Sequence, residues 1–174
     1  SDRLRIAVRG TGAHAAFPHE GIDAVLIASH VVVALQSIAS RNTDPLDCVV
    51  ITMAQIHGGT ADNVITEQID LSGTVRTMRA QTRLDTFERI RRVAAGTAAA
   101  YGGAAEVTVI EGYPLLENDA RAIEFVRGVA DEVTDVQALD IPPVMGGEDF
   151  AFYAQQVPAA FFGLGVRPPG DDSY

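Results

Sequence analysis

The protein has 174 residues, of which 47% are hydrophobic and 21% are charged, so a packed core is feasible and general disorder is not expected. Its net charge of -10 repels phosphate backbones, which argues against a nucleic-acid partner. The single cysteine, Cys48, excludes an internal disulfide and a cysteine-based zinc cage. Because Cys48 heads an apolar run, we expect its thiol to be buried.

The sequence does not open with a basic segment followed by an apolar stretch. No apolar run approaches the roughly 20 residues that cross a bilayer. We therefore expect a soluble, cytoplasmic protein without a membrane partner. A serine followed at once by a strand-like pattern also suggests that the sequence is part of a longer chain.

The first two elements are a strand and a helix. Residues 4–8 alternate between apolar and other side chains, with arginines on both flanks, which predicts a strand with one exposed face. After a loop, apolar residues recur every three to four positions and indicate a helix that ends near Asn42. Its predicted buried stripe is Ile22, Val25, Ala28, Val32, Leu35 and Ala39.

Two strands, a second helix and a further strand follow. Residues 48–56 are rich in strand formers, and residues 69–78 alternate with Arg76 on the polar face. The second helix ends at Gly102, and residues 105–109 alternate again. The predicted buried stripe of this helix is Leu84, Phe87, Ile90, Ala94, Ala98 and Tyr101.

The order β-α-β-β-α-β over residues 3–111 predicts an α+β fold of the ferredoxin-like type. In that fold an antiparallel sheet carries both helices on one face. We therefore predict a first domain at residues 1–112 and a different segment at residues 113–174.

The second segment has a different character. Asn118 could cap a helix, a short helix is expected at 149–156, and 160–166 is expected to form a buried strand closed by Pro168, Pro169 and Gly170. About 60 residues cannot form a good core alone, so this segment should pack on the first domain or on residues outside this sequence. The predicted stripe of the first of these helices is Ala122, Val126, Val129 and Val133.

His14 is the first candidate for chemistry. It lies in G-T-G-A-H-A-A-F-P-H, residues 10–19, where small neighbours leave its imidazole room to meet a ligand. An imidazole can donate a hydrogen bond to a developing oxyanion. The alternative is a loop histidine that caps a turn. The glycine spacing fits neither nucleotide-binding loop, and the chain contains no lysine.

The second cluster is I-H-G-G-T-A-D-N-V-I, residues 56–65, followed by Arg76 on the next strand. An arginine fork suits a carboxylate, and Asn63 can supply a further donor. Both could point into one cleft at the edge of the sheet. Arg76 could instead be a surface ion-pair residue, and His57 a turn or packing histidine.

The third cluster is M-G-G-E-D-F-A-F-Y, residues 145–153. Gly146 and Gly147 let the backbone approach a ligand closely, and acidic residues suit a helix start. Glu148 is free to face a pocket, whereas Asp149 is expected to cap the following helix. His30 falls within a helical pattern and is expected to be structural.

Taken in order, these clusters together with T-D-P-L-D and G-T-V-R resemble the metal-dependent aminoacylase/carboxypeptidase amidohydrolases, including hippurate hydrolase and auxin-conjugate hydrolase. The resemblance covers essentially the whole chain. It implies a ferredoxin-like lid and dimerisation domain, inserted in an α/β, zinc-peptidase-like catalytic domain. The first 110 or so residues resemble the lid, and the rest resembles the C-terminal part of the catalytic domain.

The resemblance also implies roles for single residues. His14 matches the lid histidine that helps to bind the scissile carbonyl, often across the dimer. Asn63 and Arg76 match residues that hold the carboxylate end of the substrate. Gly146, Gly147 and Glu148 match a loop that borders the active site.

The family uses two divalent metal ions, Zn, Mn, Co or Ni. Its metal motifs and general base have no counterpart in this sequence, so we expect none of these residues to be a metal ligand and the 174 residues to be inactive alone. The four histidines lie on different elements and are a poor set for a metal site.

The predicted function is therefore a part of a metal-dependent amidohydrolase. The intact enzyme would act on the amide bond of N-acyl amino acids or small peptide-like substrates as a homodimer formed through the lid. The alternative is a stand-alone module for dimerisation or small-molecule binding, without catalysis. A ferredoxin-like RNA-binding domain is disfavoured by the negative charge and the lack of stacking aromatics on the strands.

Overall fold

The computed structural model describes residues 1–133 and 138–165. Within them the chain forms two compact units. The first contains residues 1–115 and 144–147, and the second contains residues 116–143 and those from 148 onward. The first unit thus ends at residue 115, whereas the sequence predicts a boundary at 112. Residues 144–147 also belong to the first unit.

The first unit has two helices and a four-stranded sheet. The sheet order is β3-β5-β1-β6, and every neighbouring pair is antiparallel. This is the order of a ferredoxin-like fold, so the predicted fold class is confirmed. The elements are β1 (Asp2–Arg9), β2 (Ala13–His14), a 3-10 turn (Pro18–Glu20), α1 (Ala24–Arg41), β3 (Val49–Gly58), β4 (Val64–Ile65), β5 (Gln68–Thr77), α2 (Ala80–Ala100) and β6 (Ala104–Ile110).

The core lies between the sheet and the two helices. Period-2 alternation places Leu4, Ile6 and Val8 of β1 on the inner face, where each is at most 1% exposed. Ile6 lies opposite Leu71 of β5, so two central strands present apolar side chains to the helices at the same level. The other face of the sheet carries polar side chains, among them Arg5, Ser72 and Glu106.

The buried stripe of α1 differs from the predicted one. Val25 is half exposed, and Val32 is only partly buried. The helix is apolar almost all round, so periodicity alone could not choose the side that meets the sheet. The buried residues of α1 are Ala24, Ile27, Ala28, Val31, Leu35 and Ile38.

By length and composition α1 could cross a membrane, but a core helix of a soluble domain passes the same test. Here its buried stripe packs in the core between sheet and helices. Its start is fixed by Asp23, whose carboxylate accepts from the N–H groups of Val25 and Leu26.

In α2 the predicted stripe is right in the middle and wrong at both ends. Phe87, Ile90 and Ala94 are buried, whereas Leu84 and Tyr101 are exposed. Ala98 in the last turn is also buried, so the core reaches this end of the helix and only the first and last members of the predicted stripe lie outside it. Gly102 adopts a φ of +81° and ends the helix as predicted.

Cys48 is exposed, so the expectation of a buried thiol is wrong. The residue precedes β3, and its N–H donates to the side chain of Asp47 in the preceding turn. Because β3 is an edge strand, its start lacks the cover that a central strand would have.

The backbone of β3 approaches Gly73 of β5 so closely that there is no room for a side chain. A Cβ at this position would overlap the carbonyl oxygen of Thr52 on β3. We expect Gly73→Ala to lower the free energy of unfolding by about 1–3 kcal/mol, as overpacked sites do. Urea denaturation measures this change.

Gly96 provides the matched control for this prediction. It lies within α2, and a Cβ there would meet no atom within 4 Å. Gly96→Ala should therefore raise the free energy of unfolding by about 0.5–1 kcal/mol, through helix propensity. Equal effects of the two changes would contradict the described packing of β3 on β5.

The second unit contains α3 (Ala120–Glu132) and α4 (Ala151–Ala154). Asp119 caps α3, so the prediction of Asn118 as the cap is wrong. The Asn118 amide is engaged elsewhere: it donates to the Phe161 carbonyl at 2.9 Å and accepts from the Phe161 N–H at 2.7 Å. Asp119 and not Asn118 caps α3 because the side chain of Asn118 is bonded to Phe161.

Two further expectations for this unit are wrong. α4 is shorter than 149–156, and its N-terminus has no side-chain cap, so Asp149 does not cap it. Residues 160–165 form no strand, because the amide of Asn118 takes up the backbone bonds of Phe161 that a neighbouring strand would use. Val166, Pro168, Pro169 and Gly170 lie outside the described residues.

The apolar stripe of α3 is not covered. None of its residues is buried; Val129 and the capping residue Val133 are exposed, while Ala122 and Val126 are half-buried. Among the described residues of this unit, Ala151 is the one buried hydrophobic side chain. An apolar depression of about 240 Å³ lies between α3 and Phe162. The second unit therefore has apolar surface but little core.

Candidate functional site

His14 and Asn63 lie together at one end of the first unit. The short strands β2 and β4 pair so that His14 is opposite Val64. The N–H of Ala15 donates to the carbonyl of Asn63 at 2.9 Å. The predicted first and second clusters are thus brought side by side, although 49 positions separate the two residues in the sequence.

The imidazole of His14 is held in one orientation. The ring Nδ1 accepts from the N–H of Ala16 at 3.1 Å. The backbone carbonyl of His14 accepts from the N–H of Phe17 at 2.8 Å. The ring of Phe17 lies 5.8 Å away, centroid to centroid. Because Nδ1 is an acceptor, the proton of the neutral imidazole is on Nε2. The exposed ring therefore presents an N–H donor to a ligand.

The turn before Asn63 depends on glycine. Gly59 adopts a φ of +87°, in the left-handed region that favours glycine, and has open space around it. The turn brings the chain from β3 back to β4 beside His14. Asn63 is exposed, so its amide is accessible to a ligand.

His57 is neither a turn residue nor part of this group. It lies within β3 opposite Asp70 of β5, on the face without helices. The lining of a groove of about 430 Å³ on this face includes His57, Asp70, Arg5, Ser72 and Glu106. Its charges are mixed and exposed, as on an ordinary solvated sheet face. His30 stacks on Tyr101, with ring centroids 4.7 Å apart, so it has a packing partner.

Arg76 lies at the opposite end of the sheet. It is the last but one residue of β5, whereas the Gly10 N–H near His14 bonds Glu67, just before β5 begins. The eight residue-to-residue steps of strand from Gln68 to Arg76 span about 27 Å. Within one chain, the structure therefore does not bring Arg76 to His14 and Asn63.

Arg76 meets the third cluster instead. Its Nη1 donates to the carbonyl of Met145 at 2.5 Å. Gly146 and Gly147 belong to the same compact unit, and a Cβ on Gly147 would lie 3.2 Å from the ring of Tyr113. Hence Arg76, Gly146 and Gly147 share one end of the first unit. No sequence pattern could have indicated this bond, because its acceptor is a backbone carbonyl.

Glu148 belongs to the second unit. Its carboxylate accepts from the N–H of Phe150 at 3.4 Å, at the start of α4, and the residue is half-buried. The acidic side chain that bonds the backbone just before α4 is thus Glu148, and not Asp149 as the sequence predicts.

A buried ion pair stands beside Arg76, and sequence reasoning missed it. The carboxylate of Asp2 is 1% exposed and receives both Nε, at 2.9 Å, and Nη2 of Arg83, together with the Gly112 N–H at 3.0 Å. Burial raises the pKa of Asp2, but the bonds from Arg83 and Gly112 outweigh it and hold the pKa below its usual range. The bond to Asp2 in turn raises the pKa of Arg83.

Among residues 1–133 and 138–165, no group of three His, Cys, Asp or Glu side chains could hold a metal ion. The donor set of the described chain therefore does not fit a metal centre. What it offers is a fixed imidazole N–H, an exposed amide and a guanidinium. These groups can bind a carbonyl oxygen and a carboxylate.

The comparisons with known proteins identify the lid-like unit. Residues 1–102 match the family model described as the peptidase dimerisation domain. An uncharacterized hydrolase of Sinorhizobium fredii is 38% identical over 177 residues, which is 99% of this chain and 43% of the relative. The N-acetyldiaminopimelate deacetylase of Enterococcus faecalis is 41% identical over 170 residues, which is 95% of this chain and 44% of the relative.

Solved structures agree with the fold. A Staphylococcus aureus structure designated an aminohydrolase matches with a TM-score of 0.78 and 31% identity, over 92% of this chain and 41% of that one. The Bacillus subtilis YXEP protein, described as a dinuclear metal binding peptidase from the M20 family, matches with a TM-score of 0.70 and 30% identity, over 91% and 38%.

A four-stranded antiparallel sheet in the ferredoxin-like order, matched by the family model, places the first unit in the class of peptidase dimerisation domains. The chain belongs to the M20 peptidase family, through its peptidase dimerisation domain. It spans less than half the length of the curated relatives it matches. The resemblance drawn from the sequence is confirmed at the level of this family.

Proposed function

We propose that the intact enzyme hydrolyses the amide bond of an N-acyl amino acid or small peptide-like substrate, of the kind that hippurate hydrolase and aminoacylases cleave. The chain of 174 residues supplies substrate binding and dimerisation. The observation that carries this proposal is the exposed imidazole of His14, whose Nδ1 accepts from the N–H of Ala16, on a segment whose backbone is bonded to Asn63. The deacetylase relative acts, by its name, on an N-acetylated compound.

The Nε2–H of His14 donates to the scissile carbonyl and stabilises the charge that develops on its oxygen. Arg76 binds the carboxylate of the substrate through its fork, and Asn63, which the family resemblance also assigns to the carboxylate, supplies a further donor. Gly146 and Gly147 let the backbone approach this end of the substrate, and for Glu148 we keep the role that the family resemblance implies, on a loop that borders the active site. His14 is the catalytic residue of this chain, and the others bind substrate.

The site is shared by two subunits in this proposal. Arg76 lies about 27 Å along β5 from Gln68, which is at the end of the sheet near His14 and Asn63, so one small substrate in one chain cannot meet all three residues. A homodimer resolves the mismatch, because the partner's His14 and the partner's Asn63 can meet Arg76 of the first subunit. Edge strand β3 and the exposed apolar residues Val25, Leu26 and Val33 of α1 are suited to pair two lids.

The metal ions belong to the rest of the enzyme in this proposal. The described residues offer no ligand set, whereas the Bacillus subtilis relative is described as binding two metals. We propose two divalent ions, Zn, Mn, Co or Ni, held by residues outside this sequence.

The test uses the intact gene product. Purified enzyme should contain about two divalent ions per subunit and release the amino acid from a generic N-acyl amino acid. Metal content is measured by plasma mass spectrometry, and the released amine is measured by a colorimetric assay. Bound metal without hydrolysis of any N-acyl amino acid would contradict the proposal and favour a binding module.

A further inference from the structure

Among the described residues, Arg76 has no acidic partner. The neighbouring Arg83 is paired with Asp2 and lies 3.4 Å from Glu111. No ion pair to Arg76 occurs within residues 1–133 and 138–165. Burial lowers the pKa of the Ser1 amino group, and the charges of Arg83 and Arg76 lower it further. A carboxylate arriving here would therefore meet a guanidinium that is not yet neutralised.

The same guanidinium holds a loop. One of its five N–H donors is used by the carbonyl of Met145, 69 positions further along the chain. Gly147 follows closely and leaves little room: a Cβ there would lie 3.0 Å from the side chain of Ser1 and 3.2 Å from the ring of Tyr113. Gly146 between them faces open space. The segment 145–147 is thus fixed to the first unit by Arg76 on one side and packing on the other.

We propose that Arg76 is a positioning residue that holds the segment 145–147 at the end of β5, and that the same bond aims its remaining N–H donors at the carboxylate of the substrate. The guanidinium is planar and rigid, so fixing one N–H in a half-buried site also fixes the direction of the others. A loosened loop would leave the fork free to rotate. The second half of this inference rests on the proposed function, whereas the first half does not.

The loop half is tested on the chain of 174 residues by amide order parameters of Gly146 and Gly147 from NMR relaxation. In the unchanged protein both should be near the rigid-backbone value of about 0.85, and in Arg76→Ala they should fall below about 0.6. Arg76→Lys, which can still donate to Met145, should give intermediate values. Arg5→Ala removes an exposed arginine from the middle of β1 and should change nothing.

The substrate half is tested by KM and kcat in the intact enzyme. Arg76→Ala should raise KM for a carboxylate substrate at least about tenfold, and Arg76→Lys should not restore it, because an ammonium cannot form the fork. Unchanged order parameters in Arg76→Ala would overturn the positioning role, whatever KM does. A loosened loop with unchanged KM would support that role but would show that Arg76 does not anchor the carboxylate.

Discussion

Replacement of Arg83 by alanine should lower the free energy of unfolding by about 3–5 kcal/mol, because it leaves a buried carboxylate without its partner. Asp2 is 1% exposed, and Arg83 supplies two of the three hydrogen bonds that the structure gives its carboxylate. Arg83 also lies over the ring of Phe87, 5.6 Å from its centroid, so the change loses packing as well.

Urea denaturation measures this loss, and Arg91→Ala is the matched control. Arg91 pairs with Glu88 on the exposed side of α2, where both side chains are largely in water. Such a pair contributes at most about 0.5 kcal/mol. Similar losses for Arg83→Ala and Arg91→Ala would contradict the buried position of Asp2.

The ion pair also gives the stability a definite pH dependence. The pKa of Asp2 is lower in the folded chain than the ordinary carboxyl value of about 3.9. Its contribution is therefore fully present above that value and is lost as the pH falls through the folded pKa. In Arg83→Ala, burial dominates and raises the pKa of Asp2 above its ordinary value, so the contribution of Asp2 should change sign and become more favourable as the pH falls through the folded pKa. Asp2→Asn should remove this part of the pH dependence.

Replacement of His14 by alanine in the intact enzyme should lower kcat by about 100- to 1,000-fold, the usual effect of removing one donor to an oxyanion. KM should change little, because the contact strengthens mainly in the transition state. The fold should not change, since the ring is exposed and its bond to Ala16 is local.

His19→Ala is the control for this prediction. His19 lies in the same loop, is exposed and faces Glu20 at 4.0 Å. Its removal should leave kcat within about twofold, as expected for a residue that stabilises no transition state. Steady-state assays on one N-acyl amino acid compare both variants, and comparable losses would remove His14 from the catalytic machinery.

The sequence predicted the first unit well, because its strands have one dry and one wet face. In β1 and β5 the alternation of apolar and polar residues determined both the element and its buried side. For α1 the pattern predicted the helix but not its buried stripe, since Val25 and Ile27 are equally apolar and only the sheet chooses between them.

The second unit was predicted less well for a different reason. Asn118 and Asp119 are both good caps, and the contact with Phe161 decides between them. Residues 160–165 have strand-forming composition, but a strand also needs a partner for its backbone. Composition alone cannot report that partner.

The chemistry of their side chains points to His14, Asn63 and Arg76 as site residues, but the sequence does not predict where these residues lie in the fold. The contact of His14 with the segment around Asn63 depends on two strands of two residues each, too short to read from a pattern. The bond of Arg76 to Met145 involves a backbone carbonyl. Sequence reasoning expected one cleft, whereas the structure places the two groups at the two ends of β5.

In the proposed enzyme two subunits complete one site, and mixed dimers test this directly. His14→Ala and Arg76→Ala forms of the intact enzyme are unfolded together, refolded and assayed at a substrate concentration well below KM, where each change alone lowers the rate. Random pairing should restore activity at about one quarter of all sites, because each mixed dimer has one site with both residues. Activity that stays at the level of the separate variants, although mixed dimers form, would contradict the account.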